Sequence, residues 1–176
     1  MATAGNGIVD NFETGNLSKS SITIHRESPD TPDSRVLIAE LDNILKPLSP
    51  PETQYGYSVE RLIKEGVAFF VLCYDDIPAG CGGVKCFGRE YAEVKRMYVR
   101  PAFRGLGLSK MILSHLEEYT ASQGIQTIRL ETGALQKEAI GLYEGMGFHK
   151  IPAFGDYNES PYNIFYEKRL TVIDGA

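Results

Sequence analysis

The stretch MYVRPAFRGLGLSKMIL, residues 97–113, constrains this chain more than any other. A β-rich run stops at Pro101, Gly105 and Gly107 follow one residue apart, and an apolar stripe at helical spacing begins at Leu108. Strand, glycine loop and helix in that order put free backbone N–H groups and the positive end of a helix dipole where an anion can be held. Arg104 adds a fixed cation at the rim. A G-x-G before a helix is equally the mark of a plain tight turn, so its neighbours must decide.

Two common nucleotide loops are excluded. The dinucleotide fingerprint G-x-G-x-x-G requires a third glycine where Lys110 stands, and the order G-x-x-x-x-G-K-[ST] of a P-loop does not occur. What remains is a cradle for a pyrophosphate outside both of those classes.

Periodicity around the loop implies a mixed sheet. A leader over residues 1–20, rich in Gly, Asn, Ser and Thr, precedes one domain over 21–172. SITIHRES alternates as a short strand. A helix is expected to start at Asp33 or Ser34 with Val36, Leu37, Leu41, Ile44 and Leu45 on one face, and a shorter one to run from an N-cap at Ser58 to a stop at Gly66. VAFFVLCY and CGGVKCFG, separated by DDIPAG, form a hairpin, and YAEVKRMYV continues the β character. The helix after the loop carries Leu108, Met111, Ile112, Leu116 and Tyr119 and stops at Gly124. TIRLET is a strand, LQKEAIGLYEGMGF an amphipathic helix closed by Gly147, and FHKIPAF and NIFYEKRL the last strands. Hairpins first and a strand-helix-strand crossover later predict an α/β fold, with a mostly antiparallel sheet and one parallel crossover.

At 176 residues the chain suffices for one core without disulfides or metals. With 18 Lys+Arg against 23 Asp+Glu, a net charge of -5 and no basic block, nucleic acid is not an expected partner. Nor is a membrane: no run has the apolar length of a span, and the N-terminus lacks signal-peptide character. Cys73, Cys81 and Cys86 have no CxxC or zinc spacing and read as buried thiols in a reducing cytosol. His25, His115 and His149 are scattered and read as structural or surface residues.

Three segments in order resemble the GCN5-related N-acetyltransferase (GNAT) family: EVKRMYVRP as its central strand, RGLGLS as its Arg/Gln-x-x-Gly-x-Gly/Ala loop, and AIGLYEGMGF as its C-terminal signature. The likeness spans residues 69–170 and is strongest over 93–148. It implies acetyl-coenzyme A as acyl donor and no metal, with the pyrophosphate on the amides of Arg104, Gly105, Leu106, Gly107, Leu108 and Ser109. Ser109 replaces the family's usual Gly or Ala and keeps its N–H. The amide-rich pantetheine arm would pair like an extra strand along Met97, Tyr98 and Val99, beside a bulge and splay, and Gln136 stands where many members carry a cofactor-contacting Asn.

The implied reaction is acetyl transfer to the primary amine of a small molecule. It needs a base for the amine, donors for the carbonyl oxygen and an acid for the departing thiolate. Glu93 is the expected base and Tyr143 the expected acid, with the Met97 or Tyr98 N–H on the carbonyl; a salt-bridged strand residue and a core aromatic are their structural alternatives. Lys95, Arg96 and Arg129 would suit an acceptor with a carboxylate, such as an amino-acid-like amine, or are ordinary strand charges. PPETQYGYS and FGDYNESPY are expected walls of the acceptor pocket, or plain surface. A protein or peptide acetyltransferase, a coenzyme A sensing module without turnover, and a homodimeric assembly stay open.

Overall fold

The computed structural model describes residues 20–171, so the expected leader lies, but for Ser20, outside the described residues. Seven strands form one sheet. In chain order they are β1 (Ile22–Arg26), β2 (Ala68–Tyr74), β3 (Ile77–Phe87), β4 (Tyr91–Val99), β5 (Thr127–Gly133), β6 (His149–Ile151) and β7 (Asn163–Arg169), arranged in space as β1-β2-β3-β4-β5-β7-β6. All neighbours are antiparallel except β4 and β5, which are parallel. A parallel neighbour needs a crossover, and α3 (Leu108–Ser122) supplies it directly after the glycine loop. The other helices are α1 (Pro32–Leu45), α2 (Val59–Lys64) and α4 (Lys137–Gly145).

The sheet is buried on both faces, and β2 shows how one apolar run serves both. Ala68, Phe70 and Leu72 pack towards α3 with Ile112, Leu113 and Leu116, while Phe69 and Val71 pack towards α1 and α2 with Leu37, Leu41 and Leu62. Adjacent residues of a strand point to opposite faces, so a continuous hydrophobic stretch is what a doubly covered strand requires. Close approach of α3 has its own condition. A Cβ on Gly82 would stand 2.9 Å from the Ile112 Cγ2 and 3.1 Å from a Leu116 methyl.

Several boundaries differ from expectation for local reasons. Helix α1 begins at Pro32, because Thr31 is the N-cap whose side chain accepts the Ser34 N–H and proline is at home in a first turn. Its inward residues are Ser34, Leu37, Ile38 and Leu41; Val36 and Ile44 are 47% and 39% exposed. Met111 of α3 is likewise 40% exposed, and Leu113 is buried in its stead. The expected helix at LQKEAI starts only at Lys137, and strand β6 is confined to three residues because Pro152 cannot donate to a ladder. Cys81 is buried, whereas Cys73 is half-buried and Cys86 exposed, so only one thiol matches the expectation.

Two irregularities open the middle of the sheet. Between Lys95 and Tyr98 the register with β3 shifts, so that Arg96 and Met97 face the single residue Gly82, and Arg96 takes a positive φ of 56°. Strands β4 and β5 pair only at Ala92↔Ile128 and Glu93↔Arg129, and diverge beyond. A wedge therefore opens in the sheet where the glycine loop begins.

Candidate active site

Two cavities meet in that wedge. The larger, a groove of about 920 Å³, runs between β4, the glycine loop and α4, and is lined by Met97, Tyr98, Val99, Gly105, Gly107 and Ser109 among others. Gly105 and Gly107 have φ of 78° and 77°, a region costly for residues with a Cβ. Gly107 is the N-cap of α3 and offers no side chain, so the first-turn N–H groups of Leu108, Ser109 and Lys110 have no intrahelical acceptor. The N–H groups of Gly105, Leu106 and Gly107 are likewise without a backbone partner among the described residues. This is a nest of donors at a helix N-terminus, and its chemistry fits a pyrophosphate.

Two details of the expected cradle change. The Arg104 N–H donates to the Pro101 carbonyl at 3.2 Å, closing a short 3₁₀ turn, so the open amides begin at Gly105. The Arg104 guanidinium donates to the Val99 carbonyl and stands 3.5 Å from Glu138 of α4, at the groove rim. Leu106 turns its side chain outward at 51% exposure, leaving it only a main-chain role.

The smaller cavity, about 360 Å³, lies beyond Met97, Gln136 and Tyr143, which line both spaces. Both expected loop walls are present: Thr53, Gln54, Tyr55 and Tyr57 from one loop, and Tyr157 from the other. Helix α1 covers one side, tied to β4 by Arg96–Asp42 at 2.5 Å and to the residue just after it by Arg100–Glu40 at 2.9 Å.

Tyr143 sits at the junction. Its ring packs against Phe148 and Tyr166 at centroid distances of 5.8 and 6.3 Å, and its hydroxyl has no hydrogen-bond partner among the described residues. Burial raises its pKa, so the phenol keeps its proton through the neutral range.

Glu93 also lines the smaller cavity, but its carboxylate is engaged. Oε1 accepts from Lys95 Nζ at 2.6 Å and from the Tyr157 hydroxyl, and Lys95 also donates to Tyr157 at 2.7 Å. Both charged side chains are almost fully buried, at 3% and 7% exposure. Desolvation lowers the Lys95 pKa and Glu93 opposes that shift. If Glu93 took up a proton, a buried ammonium would lose its counter-charge.

Glu131 is the residue that sequence reasoning missed. It lies on β5 two residues past Arg129, on the same strand face, and lines the cavity where the strands diverge. Its carboxylate accepts from the Asn163 amide, which in turn is held by the Thr53 carbonyl and Ser160. Desolvation raises its pKa above the ordinary carboxylate value, with Asn163 and Lys95 offsetting part of the effect and Glu93 adding to it. A carboxylate two positions along from the residue paired with Glu93 was the available signal.

The remaining expected site residues separate. Lys95 and Arg96 line the cavity, yet each is committed: Lys95 to Glu93, and Arg96 to Asp42 and the Ile38 carbonyl. Arg129, expected to suit an acceptor carboxylate, lines neither of the two cavities. Its guanidinium pairs with Glu167 at 2.7 Å and lies 4.4 Å over the Tyr91 ring, away from both cavities. Cys81 donates to the Arg96 carbonyl, and burial pushes its thiol up to about 12, which removes it as a nucleophile.

Comparison with known proteins gives a consistent result. Residues 35–148 match the model of the acetyltransferase (GNAT) family. An IAA acetyltransferase of Azospirillum brasilense is 35% identical over 151 residues, covering 85% of this chain and 99% of its own length. YsnE, an uncharacterised N-acetyltransferase of Bacillus subtilis, is 32% identical, covering 70% of this chain and 83% of its own. Among solved structures, one from Klebsiella pneumoniae, provisionally described as an acyl-CoA N-acyltransferase, is 30% identical with a TM-score of 0.72, covering 85% of this chain and 98% of its own. A GNAT family acetyltransferase of Elizabethkingia anophelis with acetyl-CoA bound shares the fold at 18% identity, with a TM-score of 0.65, covering 85% of this chain and 98% of its own.

Proposed function

Because this chain belongs to the GNAT acetyltransferase family, we propose that it transfers the acetyl group of acetyl-coenzyme A to the primary amine of a small molecule enclosed in the 360 Å³ cavity. The observation that carries this reading is the junction at Tyr143: one buried phenol with a free hydroxyl faces both the donor groove and the acceptor cavity.

When bound, acetyl-coenzyme A supplies an activated thioester. The chain supplies the rest. The amides of Gly105, Leu106, Gly107, Leu108 and Ser109 hold negative charge at the start of α3, and Arg104 closes the rim. Met97, Tyr98 and Val99 offer an unpaired strand edge along the groove, and the bulge at Arg96–Met97 frees main-chain N–H groups to steady a carbonyl oxygen. Gln136 reaches the same junction from the start of α4.

An amine near a lysine-like pKa must lose a proton before attack. Glu131 receives that proton at its carboxylate, since it faces the cavity with one neutral hydrogen-bond partner. Glu93, the base expected from sequence, holds Lys95 and Tyr157 in place, and keeps the second claim to the role through its free oxygen. Tyr143 delivers a proton to the departing sulfur. Three cysteines without a disulfide suit a cytosolic site of action, and no helix of the described residues is long and apolar enough to cross a membrane.

Release of coenzyme A thiol, followed over a panel of amines with Glu131→Gln and Glu93→Gln beside the parent, tests this reading. Loss in Glu131→Gln of about 10²-fold or more supports the assignment of the base. A greater loss in Glu93→Gln at equal folded fraction returns the role to Glu93.

A further inference from the structure

Charge bookkeeping around the smaller cavity narrows the acceptor. Glu93 and Lys95 form one closed ion pair at 2.6 Å, and Arg96 and Asp42 another at 2.5 Å. Glu131 has the neutral Asn163 amide as its hydrogen-bond partner and no ion pair among the described residues. The lining holds three acids (Asp42, Glu93, Glu131) and three cations (Lys46, Lys95, Arg96), and with Lys95 and Arg96 taken, Glu131 is the carboxylate without a close counter-ion among the described residues. Lys46 lies at the mouth and is exposed, where water screens its charge.

No cation of the floor is free for an acceptor's carboxylate. Drawing Lys95 away would leave the buried Glu93 carboxylate uncompensated. Arg96 Nε lacks a partner but is itself buried, and the guanidinium is committed through its terminal nitrogen to Asp42 and the Ile38 carbonyl. An α-carboxylate would thus be buried near Glu131 with nothing to pair it. The neutral wall is aromatic instead: Tyr55 and Tyr157 meet edge to face at 4.8 Å, and Tyr57 lies beside them under Lys95. About 360 Å³ is at the small end of ligand pockets, with room for a ring and a short arm.

Resting on the acetyl-transfer reading above, we infer that the acceptor is a small cationic amine with an apolar or aromatic body and no carboxylate, its nitrogen on Glu131 and its body against Tyr55, Tyr57 and Tyr157. The Tyr rings favour such a body by shape and apolar area; the face of Tyr57 is already taken by Arg61 at 3.8 Å and Lys95 at 4.3 Å, so the nitrogen is left to Glu131. This replaces the amino-acid-like acceptor suggested by the strand cations, which the fold has already paired with Glu93, Asp42 and Glu167.

Three matched probes test it: phenethylamine, phenylalaninol and phenylalanine, with a short peptide beginning in phenylalanine as the fourth arm. Expected is a kcat/KM for phenylalanine about 10²-fold or more below that for phenethylamine, with phenylalaninol within about 10-fold of it, the scale of one unpaired charge buried against a like charge. In parallel, calorimetric titration of phenethylamine into the protein saturated with coenzyme A should weaken at least about 10-fold in Glu131→Gln, while that of phenylalanine should not weaken. Equal use of phenylalanine, preference for the peptide, or phenethylamine binding that is absent or indifferent to Glu131→Gln would each overturn the inference. Glu131-dependent binding without thiol release from any probe would uphold the acceptor class and sink the acetyl-transfer reading instead.

Discussion

Replacing Tyr143 by phenylalanine separates chemistry from packing at the junction of the two cavities. The ring stays, and with it the contacts to Phe148 and Tyr166 at 5.8 and 6.3 Å. The hydroxyl has no partner among the described residues, so its removal forfeits none of the ~0.5–1.5 kcal/mol that a hydrogen bond contributes. Stability should change by less than about 1 kcal/mol, a shift of at most ~2–4 °C in Tm for a domain of this size. Turnover should fall by about 10²-fold or more, equivalent to ~2.7 kcal/mol on the barrier, because the departing thiolate loses its proton donor. Thiol release gives the rate, a thermal melt followed by circular dichroism gives the stability, and calorimetry gives cofactor affinity, which should hold within about twofold. Unchanged turnover in the folded variant would refute the acid role. A parallel loss of cofactor affinity and Tm would make Tyr143 a packing residue only.

The two carboxylates should respond in opposite directions to neutralisation. The folded pKa of Glu131 lies above its ordinary 4.5, so its contribution favours folding below about pH 4.5 and is lost as pH rises through the folded value; at pH 7 Glu131→Gln should melt higher than the parent while losing activity. Glu93→Gln, which leaves the buried Lys95 without a counter-charge, should melt lower, by as much as ~3–5 kcal/mol if the ammonium keeps its proton. In the parent, kcat/KM should rise with pH through the pKa of Glu131, raised by desolvation and by Glu93 against the opposing Asn163 and Lys95, and this acid limb should vanish in Glu131→Gln. Gly107→Ala meets no atom within 4 Å and so suffers only the backbone penalty of its φ of 77°, about 1–2 kcal/mol in a thermal melt; coenzyme A affinity by calorimetry should drop as well. Gly82→Ala should cost ~1–3 kcal/mol in a denaturant melt, here through a 2.9 Å approach of the new methyl to the Ile112 Cγ2.

Legibility in the sequence followed the range of the interactions involved. The crossover and its loop were readable because Pro101, Gly105, Gly107 and the stripe from Leu108 are local signals of backbone geometry. Caps such as Ser58, whose side chain accepts the Arg61 N–H, were readable for the same reason. Charged groups were not. Lys95, Arg96 and Arg129 look alike as strand cations; Lys95 is spent on Glu93 two residues away in its own strand, while Arg96 and Arg129 are spent on the tertiary partners Asp42 and Glu167. Glu131 was hidden by the converse: its lack of a cation depends on Asn163 and Thr53, 32 and 110 residues from their partners in sequence. Helix α1 showed the same limit, since Val36 and Ile44 share the apolar character of Leu37 and Leu41 and differ only in what the sheet presents to them.

Incubation of the purified protein with acetyl-coenzyme A and phenethylamine, with the products identified by mass spectrometry, tests the central claim most directly. The account predicts N-acetylphenethylamine and free coenzyme A thiol in equal amounts, formed at a rate proportional to enzyme and lost in Tyr143→Phe. Tight binding of coenzyme A with no acetylated product from phenethylamine or any other amine supplied would contradict it, and would leave a binding module in place of an enzyme.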